Sequence, residues 1–166
     1  MYISFNDMPA GAKIWIYQSS RPITDIEQLQ IGKVAESFIQ QWAAHNQPLK
    51  ASYIFIYNYF LVVSVDESYN QASGCSIDAS VHLVKALEQQ FDIDFFDRTK
   101  VAFLKGEEVI LESIKDIKTK VAEGAVTEKT ITFNNLVKNK GELQTEWMVP
   151  AARSWLKRYF QAVEQH

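Results

Sequence analysis

The most apolar stretch of the chain, residues 53–65, reads YIFIYNYFLVVSV and decides the fold. Aromatic residues alternate with isoleucines over residues 53–57, and this period of two is typical of a β-strand. Residues 60–65 form a nearly unbroken apolar run, as expected for a strand that is covered on both faces. Between them, Asn58 and Tyr59 predict a tight turn, so the stretch is a pair of strands. It is shorter than the roughly 20 residues of a membrane-spanning helix, and we expect no membrane insertion.

A strand and a helix precede this stretch. Residues 12–17 are rich in β-forming side chains and predict the strand. Thr24 and Glu27 then have the spacing of a capping box, in which each side chain bonds to the backbone N–H of the other residue. Apolar residues recur behind them at helical spacing, so the helix should run to about residues 44–47, ahead of Pro48.

A second amphipathic helix and a hairpin follow the stretch. Ser76 is the expected N-cap of this helix, because a serine hydroxyl can accept a hydrogen bond from a backbone N–H of the first turn. The core stripe of the helix is predicted to be Ile77, Val81, Val84, Leu87 and Phe91. The hairpin consists of residues 101–104 and 109–111 and turns around Gly106.

The last third of the chain predicts a short helix, a strand and a final helix. Ser113 should cap the short helix, and Gly124 should be its C′ residue. The strand is residues 130–133, and Pro150 fits the first position of the final helix. That final helix is predicted to bury Trp155, Leu156, Tyr159, Phe160 and Val163.

The first six elements follow in the order β-α-β-β-α-β, which is the order of the ferredoxin-like split βαβ unit. We therefore predict an α+β fold in which helices pack on a mixed or antiparallel sheet, with a C-terminal hairpin or strand and further helices behind it. The length of 166 residues and the 47% of hydrophobic residues suit a single domain that spans residues 1–166.

The charge and the cysteine content argue against several classes of protein. The net charge is −3, whereas a protein that binds a nucleic acid backbone carries a basic stripe. Residues 58–65, the third predicted strand, also lack the basic-Gly-aromatic motif of an RNA-recognition domain, so we expect no nucleic acid partner. Cys75 is the only cysteine, which rules out an intrachain disulfide. Because the N-terminus also lacks the pattern of a signal peptide, the expected location is the cytoplasm.

The first candidate site is the turn Gly74-Cys75-Ser76-Ile77-Asp78. It places a thiol at the start of a helix, where free N–H groups and the helix dipole favour a thiolate or a bound anion. Gly74 would let the backbone bend sharply and approach a ligand, so Gly74, Cys75, Ser76 and Asp78 form a predicted binding set. In the alternative, purely structural interpretation, Ser76 caps the helix, Asp78 complements its dipole and Cys75 is a small buried hydrophobe.

Asn134 and Asn135 are the second candidate, because they directly follow a predicted strand. Amides that contact a ligand often lie at such strand ends in α/β proteins. The structural alternative is a turn or a cap, which asparagine favours through hydrogen bonds to its own backbone.

Aromatic and basic residues near the C-terminus form a third candidate. Trp147 and Trp155, together with Arg153 and Arg158, could stack on a base or a sugar. Core packing is the favoured interpretation, since Trp155 and Tyr159 both fall on the apolar stripe of the predicted final helix. The three histidines and the single cysteine occur at no metal-ligand spacing, so the sequence predicts neither a metal nor a cofactor.

Four separated segments resemble one known family: residues 15–18, 73–78, 133–137 and 147–155. The family is a group of short proteins of Bacteroidetes that are often labelled "ABC transporter ATPase" in genomes. The resemblance runs from the N-terminus nearly to the C-terminus, with the segments in the same order. Leu156 departs from the family, whose members often carry histidine after the Ser-Trp pair.

The ATPase label implies a phosphate-binding loop, which the sequence lacks. Such a loop reads G-x-x-x-x-G-K-[ST], because backbone N–H groups must surround the phosphates and a hydroxyl must meet Mg²⁺. The only Gly-Lys pair is Gly32-Lys33, with Glu27 in place of the first glycine and Val34 in place of the hydroxyl residue. The pair also lies within a predicted helix. The sequence therefore argues against ATP hydrolysis by this chain.

Taken together, these patterns predict a non-catalytic, accessory protein of the cytoplasm that binds a small molecule or another protein. The first alternative is an enzyme or a redox-sensitive protein that depends on Cys75. The second is a protein associated with a transporter ATPase, as the family label implies.

Overall fold

The computed structural model describes the backbone of residues 1–164 and the side chains of residues 1–161. In chain order, the strands of this part are β1 (Lys13–Gln18), β2 (Ala43–Ala44), β3 (Gln47–Pro48), β4 (Ala51–Ile56), β5 (Phe60–Val65), β6 (Lys100–Lys105), β7 (Glu108–Ser113), β8 (Ile131–Phe133) and β9 (Met148–Pro150). The helices are α1 (Asp25–Gln41), α2 (Gly74–Phe91), α3 (Ile117–Ala122), α4 (Lys140–Thr145) and α5 (Lys157–Glu164). The side chain of Val163, predicted from the sequence to be buried, lies outside the described residues.

The main strands form two antiparallel sheets that pack face to face. The first sheet has the order β1-β5-β4 and the second has the order β7-β6-β8-β9. Side chains of α1 and α2 pack on the outer face of the first sheet. Side chains of α3 and α5 pack on the outer face of the second sheet. The result is a helix–sheet–sheet–helix arrangement, and the predicted α+β class is confirmed.

The alternation of side chains in β4 and β5 explains how the first sheet is covered on both sides. Leu61 and Val63 of β5 point to the helices, whereas Phe60 and Val62 point to the second sheet. All six residues of β5 are buried. Since each large apolar side chain gains about 1.5–3 kcal/mol on burial, this strand is a major source of stability. The prediction of a strand covered on both faces is confirmed.

The ferredoxin-like order is present along the chain but not in a single sheet. β5 lies between β1 and β4 and is antiparallel to both, so β1, α1 and β4 form a split βαβ unit. The sixth element, β6, belongs to the second sheet instead. Part of the free edge of β1 is covered by a later segment, because the N–H of Ile14 donates to the carbonyl of Lys138 at 3.0 Å. The expectation of one sheet is therefore corrected to two main sheets, beside the short two-stranded pair of β2 and β3.

The starts of the two long helices differ in how well the sequence predicts them. The capping box of Thr24 and Glu27 is present at α1, as expected. At α2 the N-cap is Ser73, and Ser76 occupies the N3 position with its hydroxyl bonded to the N–H of Ser73 at 2.7 Å. Ser76 as N-cap is thus wrong. The first turns of α2 bury Ser76 and Ser80, whereas Ile77 is half-buried. On this face the indole N–H of Trp42 donates to the carbonyl of Ser76 at 2.9 Å.

Two further expectations about local structure are corrected. The turn between β4 and β5 centres on Tyr57 and Asn58, whose φ angles are 53° and 62°, one residue before the predicted pair. Pro150 ends a strand rather than starting a helix, and it lies opposite Ile131 at the edge of the second sheet. An edge strand tolerates a proline, which has no N–H to donate. A membrane-spanning helix would need a long apolar run, and no helix within residues 1–164 has one.

Candidate functional site

A cleft of about 470 Å³ lies where strands β6, β8 and β9 of the second sheet meet the end of β1. Its floor includes Val101 of β6, Thr132 of β8 and Val149 of β9, which are side chains of three neighbouring strands. β6 pairs with β7 along its whole length but with β8 only at Phe103 and Leu104. The two strands separate beyond that point, and the cleft lies there. Its volume falls within the range of about 300–1,000 Å³ that is usual for small-molecule sites.

The aromatic residue beneath one end of the cleft is held rigidly in the core. Phe133 lines the cleft and packs against Phe60 and Trp147, with ring centroids 4.8 and 4.6 Å away. Phe60 and Trp147 also contact each other edge to face at 4.9 Å. Such aromatic clusters fix ring positions through both burial and geometry. This end of the cleft is therefore preformed rather than dependent on a ligand.

A chain of hydrogen bonds fixes Asn135 at the rim of the cleft. The indole N–H of Trp147 donates to Asn135 Oδ1 at 2.9 Å, and Asn135 Nδ2 donates to Gln18 Oε1 at 3.1 Å. Gln18 Nε2 then donates to the carbonyl of Lys100 at 3.3 Å. The chain connects the end of β1 in the first sheet to the start of β6 in the second. Asn135 therefore acts chiefly to position this rim.

Asn134 forms a turn and also presents its amide to the cleft. Its Oδ1 accepts the N–H of Leu136 at 3.2 Å, as in the structural alternative for this residue. Its side chain is exposed and lines the cleft, and within residues 1–161 no group accepts a hydrogen bond from its NH₂ group. Leu136, which follows, has 85% of its surface exposed. Asn134 thus combines a structural role with two available donors.

Three basic side chains line the cleft without a carboxylate partner. Arg98, Lys100 and Arg153 are exposed, and none forms an ion pair with another part of the described chain. The nearest acidic residue in sequence, Asp97, is turned toward Thr99, whose hydroxyl and N–H donate to its Oδ1 at 2.6 and 2.8 Å. These bonds, with a smaller contribution from the charge of Lys100, hold the pKa of Asp97 below its usual value. The described residues that line the cleft therefore carry a net positive charge, with the Asp97 carboxylate as a neighbour of Lys100 outside the lining.

Trp155 forms an aromatic wall of the cleft. Half of its surface is exposed, at 50%, so the predicted burial of this residue in the core is wrong. The guanidinium of Arg158 lies 5.5 Å from its ring centre, and Tyr159 meets it edge to face at 6.3 Å. Of the two tryptophans predicted as possible stacking residues, Trp155 is therefore available at the surface and Trp147 is buried.

The error over Trp155 has a simple structural origin. Because the final helix was expected to begin at Pro150, the helical period placed Trp155 on the same face as Leu156 and Tyr159. Instead, a 3₁₀ turn at Ala151–Arg153 precedes α5, which begins only at Lys157. Leu156 and Phe160 are buried as predicted. Trp155 precedes α5, so helical spacing does not determine which way its side chain points.

The Cys75 turn places an exposed thiol at the start of α2. Cys75 is exposed and makes no hydrogen bond to a side chain or backbone group of residues 1–161. The hydroxyl of Ser76 is bonded to Ser73, so it is not free for a ligand. Gly74 lies in the first turn of α2 without a positive φ, and a Cβ added there would meet nothing. The sharp bend expected at Gly74 is therefore absent.

The two candidate sites of the sequence lie at opposite ends of the first sheet. α2 has 18 residues and is about 27 Å long. Its last residue, Phe91, accepts a hydrogen bond from Arg21, three positions after the cleft residue Gln18. Cys75 lies at the other end of the helix, together with Asp78, which is exposed and lies outside the cleft lining. The structure thus does not bring the Cys75 turn together with the two asparagines.

A second, more open groove of about 450 Å³ follows the edge of β1. Lys13, Trp15 and Lys138 line it, and it shares Asn135 and Leu136 with the cleft. The exposed Leu136 thus lines both depressions. Among the residues with described side chains, no three histidine, cysteine, aspartate or glutamate groups lie close enough together to hold a metal ion.

Comparison of the chain with protein-family models, with curated proteins and with solved structures gives no significant match. The resemblance of the four segments to the proteins labelled as transporter ATPases therefore stays a prediction. Gly32 and Lys33, the only Gly-Lys pair, lie in the middle of α1.

Proposed function

We propose that this chain is a non-catalytic protein that binds a small molecule in the cleft on the second sheet. The observation that carries the proposal is the form of the cleft: a preformed depression with an apolar floor and a few fixed polar groups at its rim. This combination is characteristic of ligand sites. Asn134 and Asn135, predicted as ligand contacts from the sequence alone, both lie on its rim.

The side chains of the cleft support binding rather than catalysis. Of the described residues that line it, none is a histidine, cysteine, aspartate or glutamate. Its two hydroxyl groups are already engaged, since Thr132 Oγ1 donates to the carbonyl of Ala102 and Ser154 Oγ donates to that of Ala151, both at 2.8 Å. A nucleophilic hydroxyl needs a base within hydrogen-bond reach. No side chain of the described lining supplies one.

The alternative of a Cys75-dependent enzyme has less support. Cys75 is exposed, and no side chain of the described residues lies within hydrogen-bond distance of its sulfur to act as a base. Association with a transporter ATPase rests only on the family resemblance. The position of Gly32 and Lys33 inside a helix gives no support to a phosphate-binding loop in this chain.

The proposal is tested by thermal unfolding in the presence of a panel of neutral, cationic and anionic fragments. A ligand that binds only the folded state stabilises it by about 2.7 kcal/mol at 100 times its Kd. For a chain of this size, that gain raises the Tm by about 5–10 °C. We expect at least one fragment to raise the Tm of the wild-type protein in a dose-dependent manner.

Two variants locate the effect. Trp155→Ala removes the aromatic wall of the cleft and should abolish most of the rise in Tm. Tyr69→Ala is the matched control, because Tyr69 is similarly exposed, at 54% against 50% for Trp155, and lies in the loop before α2. If no fragment raises the Tm, or if Trp155→Ala and Tyr69→Ala respond alike, the cleft is not the binding site.

A further inference from the structure

The described lining of the cleft is positively charged, whereas the protein as a whole is negatively charged. The chain has 17 basic and 20 acidic residues and a net charge of −3. Yet Arg98, Lys100 and Arg153 converge on one depression, and none of its described lining residues is acidic. The four ion pairs found among the described residues are all elsewhere. A local concentration of unpaired positive charge in an acidic protein attracts a negatively charged ligand.

The two arginines favour a ligand that carries an anionic oxygen group. A guanidinium presents a planar fork of donors that matches a carboxylate or a phosphate. Arg98 precedes β6, and Arg153 ends the 3₁₀ turn after β9, so they reach the cleft from separate elements. Asn134, at the end of the intervening strand β8, adds NH₂ donors that no described group occupies. The donors thus surround one space.

A bare inorganic anion would leave the aromatic wall and the apolar floor of the cleft exposed to water. Trp155 is half exposed, and Arg158 and Tyr159 hold its ring in place. Val101 and Val149 extend the apolar surface along the floor. A flat ring stacks favourably on an exposed aromatic side chain, as bases do in nucleic acid complexes. A cleft of about 470 Å³ also has room for more than a single oxyanion.

We propose that the ligand of this cleft is a small organic anion that carries a planar ring, with its phosphate or carboxylate group on Arg98 and Arg153 and its ring against Trp155. This inference rests on the proposed function and specifies its ligand class.

The test compares matched pairs of probes by isothermal titration calorimetry. The phosphate pairs are nucleoside monophosphates and the corresponding nucleosides, and the carboxylate pairs are heteroaromatic carboxylates and the corresponding amides. Inorganic phosphate and acetate serve as anions without a ring. We expect at least one ring-bearing anion to bind ten times more tightly than its neutral counterpart and than the bare anion. The pair that binds shows whether phosphate or carboxylate is preferred.

Charge variants separate this inference from the proposed function. The double variant Arg98→Gln with Arg153→Gln should bind the ring-bearing anion at least ten times more weakly than the wild type. The control variant Lys33→Gln with Lys85→Gln removes the same charge from α1 and α2, and its affinity for the anion should change less than twofold. Raising the ionic strength should weaken binding to the wild-type protein, since salt screens exposed charges.

Each outcome bears on one of the two proposals. If neutral counterparts bind as tightly as the anions, or if the double arginine variant binds the anions normally, the ligand class is wrong while binding in the cleft stands. If no ring-bearing anion binds but other fragments stabilise the protein through Trp155, the ligand class is again wrong. If no fragment or probe binds at all, both proposals are overturned.

Discussion

Gly32 is a point of close approach between α1 and the first sheet. A Cβ built on it would lie 2.5 Å from the hydroxyl oxygen of Tyr53 and 3.3 Å from the ring carbon that carries it. The hydroxyl donates to Glu36 Oε1 at 3.0 Å, and burial of the ring, followed by this bond, raises the pKa of Tyr53. The glycine of the only Gly-Lys pair is thus explained by packing.

We expect Gly32→Ala to destabilise the protein by about 1 kcal/mol. Alanine gains up to about 1 kcal/mol in helix propensity, but overpacking against a partly buried ring costs about 1–3 kcal/mol. In a Tyr53→Phe background the clashing oxygen is gone, so the same substitution should become neutral or stabilising. Urea unfolding of the four proteins measures this coupling. An effect of Gly32→Ala with the same sign and size in both backgrounds would refute the explanation.

Lys140 is a buried charge with a complete set of partners. Its side chain ammonium donates to the carbonyls of Phe5, Asn6 and Met8 at 3.0, 3.1 and 2.7 Å, and the residue is only 8% exposed. An ammonium group has three donors, and all three are used here. The residue thereby ties α4 to the N-terminal segment. Nothing in the local sequence distinguishes it from a surface lysine.

We expect Lys140→Met to lower the free energy of unfolding by about 2–4 kcal/mol, because it leaves three carbonyls without their donor. Lys138→Met, which changes an exposed lysine two residues away, should stay within about 0.5 kcal/mol of the wild type. Both values follow from urea unfolding at neutral pH. A Lys140→Met protein as stable as the Lys138→Met protein would show that the three bonds contribute nothing.

The start of α1 is joined to the end of α2 by a residue that sequence patterns did not select. Arg21 donates to both carboxylate oxygens of Glu27 at 2.8 Å, and also to the carbonyl of Phe91 at 2.7 Å. The capping box needed only residues three apart, so it was predictable from Thr24 and Glu27. The contact with Phe91 joins residues 70 positions apart, and no local pattern carries that information.

Glu27 should make the stability of this junction depend on pH. The hydrogen bonds from Arg21 are the largest cause that lowers its pKa from 4.5 to about 2. Since the pKa is lower in the folded state, the interaction stabilises the protein above about pH 4.5 and is lost as the pH falls toward 2. The pair is partly exposed, so we expect a contribution of about 1 kcal/mol.

The measurement is the difference in unfolding free energy between wild type and Glu27→Gln at pH 6 and at pH 3. We expect the wild type to be more stable at pH 6 and the difference to shrink at pH 3. Asp25→Asn, in the same helical turn, serves as the control. A difference for Glu27→Gln that is the same at both pH values would contradict this role for the carboxylate.

For the molecule as a whole, the sequence predicted the order of the elements but not their assignment to sheets. The unbroken apolar run of β5 is local, and it correctly indicated a strand covered on both faces. The apolar pattern of β6 is equally local, but it is compatible with either sheet. Its place depends on distant contacts, such as the bond between Ile14 and Lys138 that covers part of the edge of β1. Long-range pairing of this kind leaves no periodic signal.

Only part of the cleft was predictable, because some of its residues follow local patterns and others meet only through long-range strand pairing. Asn134 and Asn135 follow a strand, which is a local feature, and both line the cleft. No local pattern marks Arg98 as a site residue, and the apolar spacing predicts Trp155 as a core residue. They converge because β6, β8 and β9 are neighbours in the second sheet. The Cys75 turn, the strongest local motif, lies elsewhere because a helix start alone does not bring other groups to it.

Chemical-shift perturbation distinguishes these two sites most directly. The tightest-binding probe or fragment would be titrated into ¹⁵N-labelled wild-type protein, with the backbone amides, the asparagine side chains and the Trp155 indole followed. We expect saturable changes that are largest in residues 98–102, 132–136 and 149–155, with residues 73–78 unaffected. Changes centred on residues 73–78 would instead place the ligand at the Cys75 turn and contradict a binding function for the cleft.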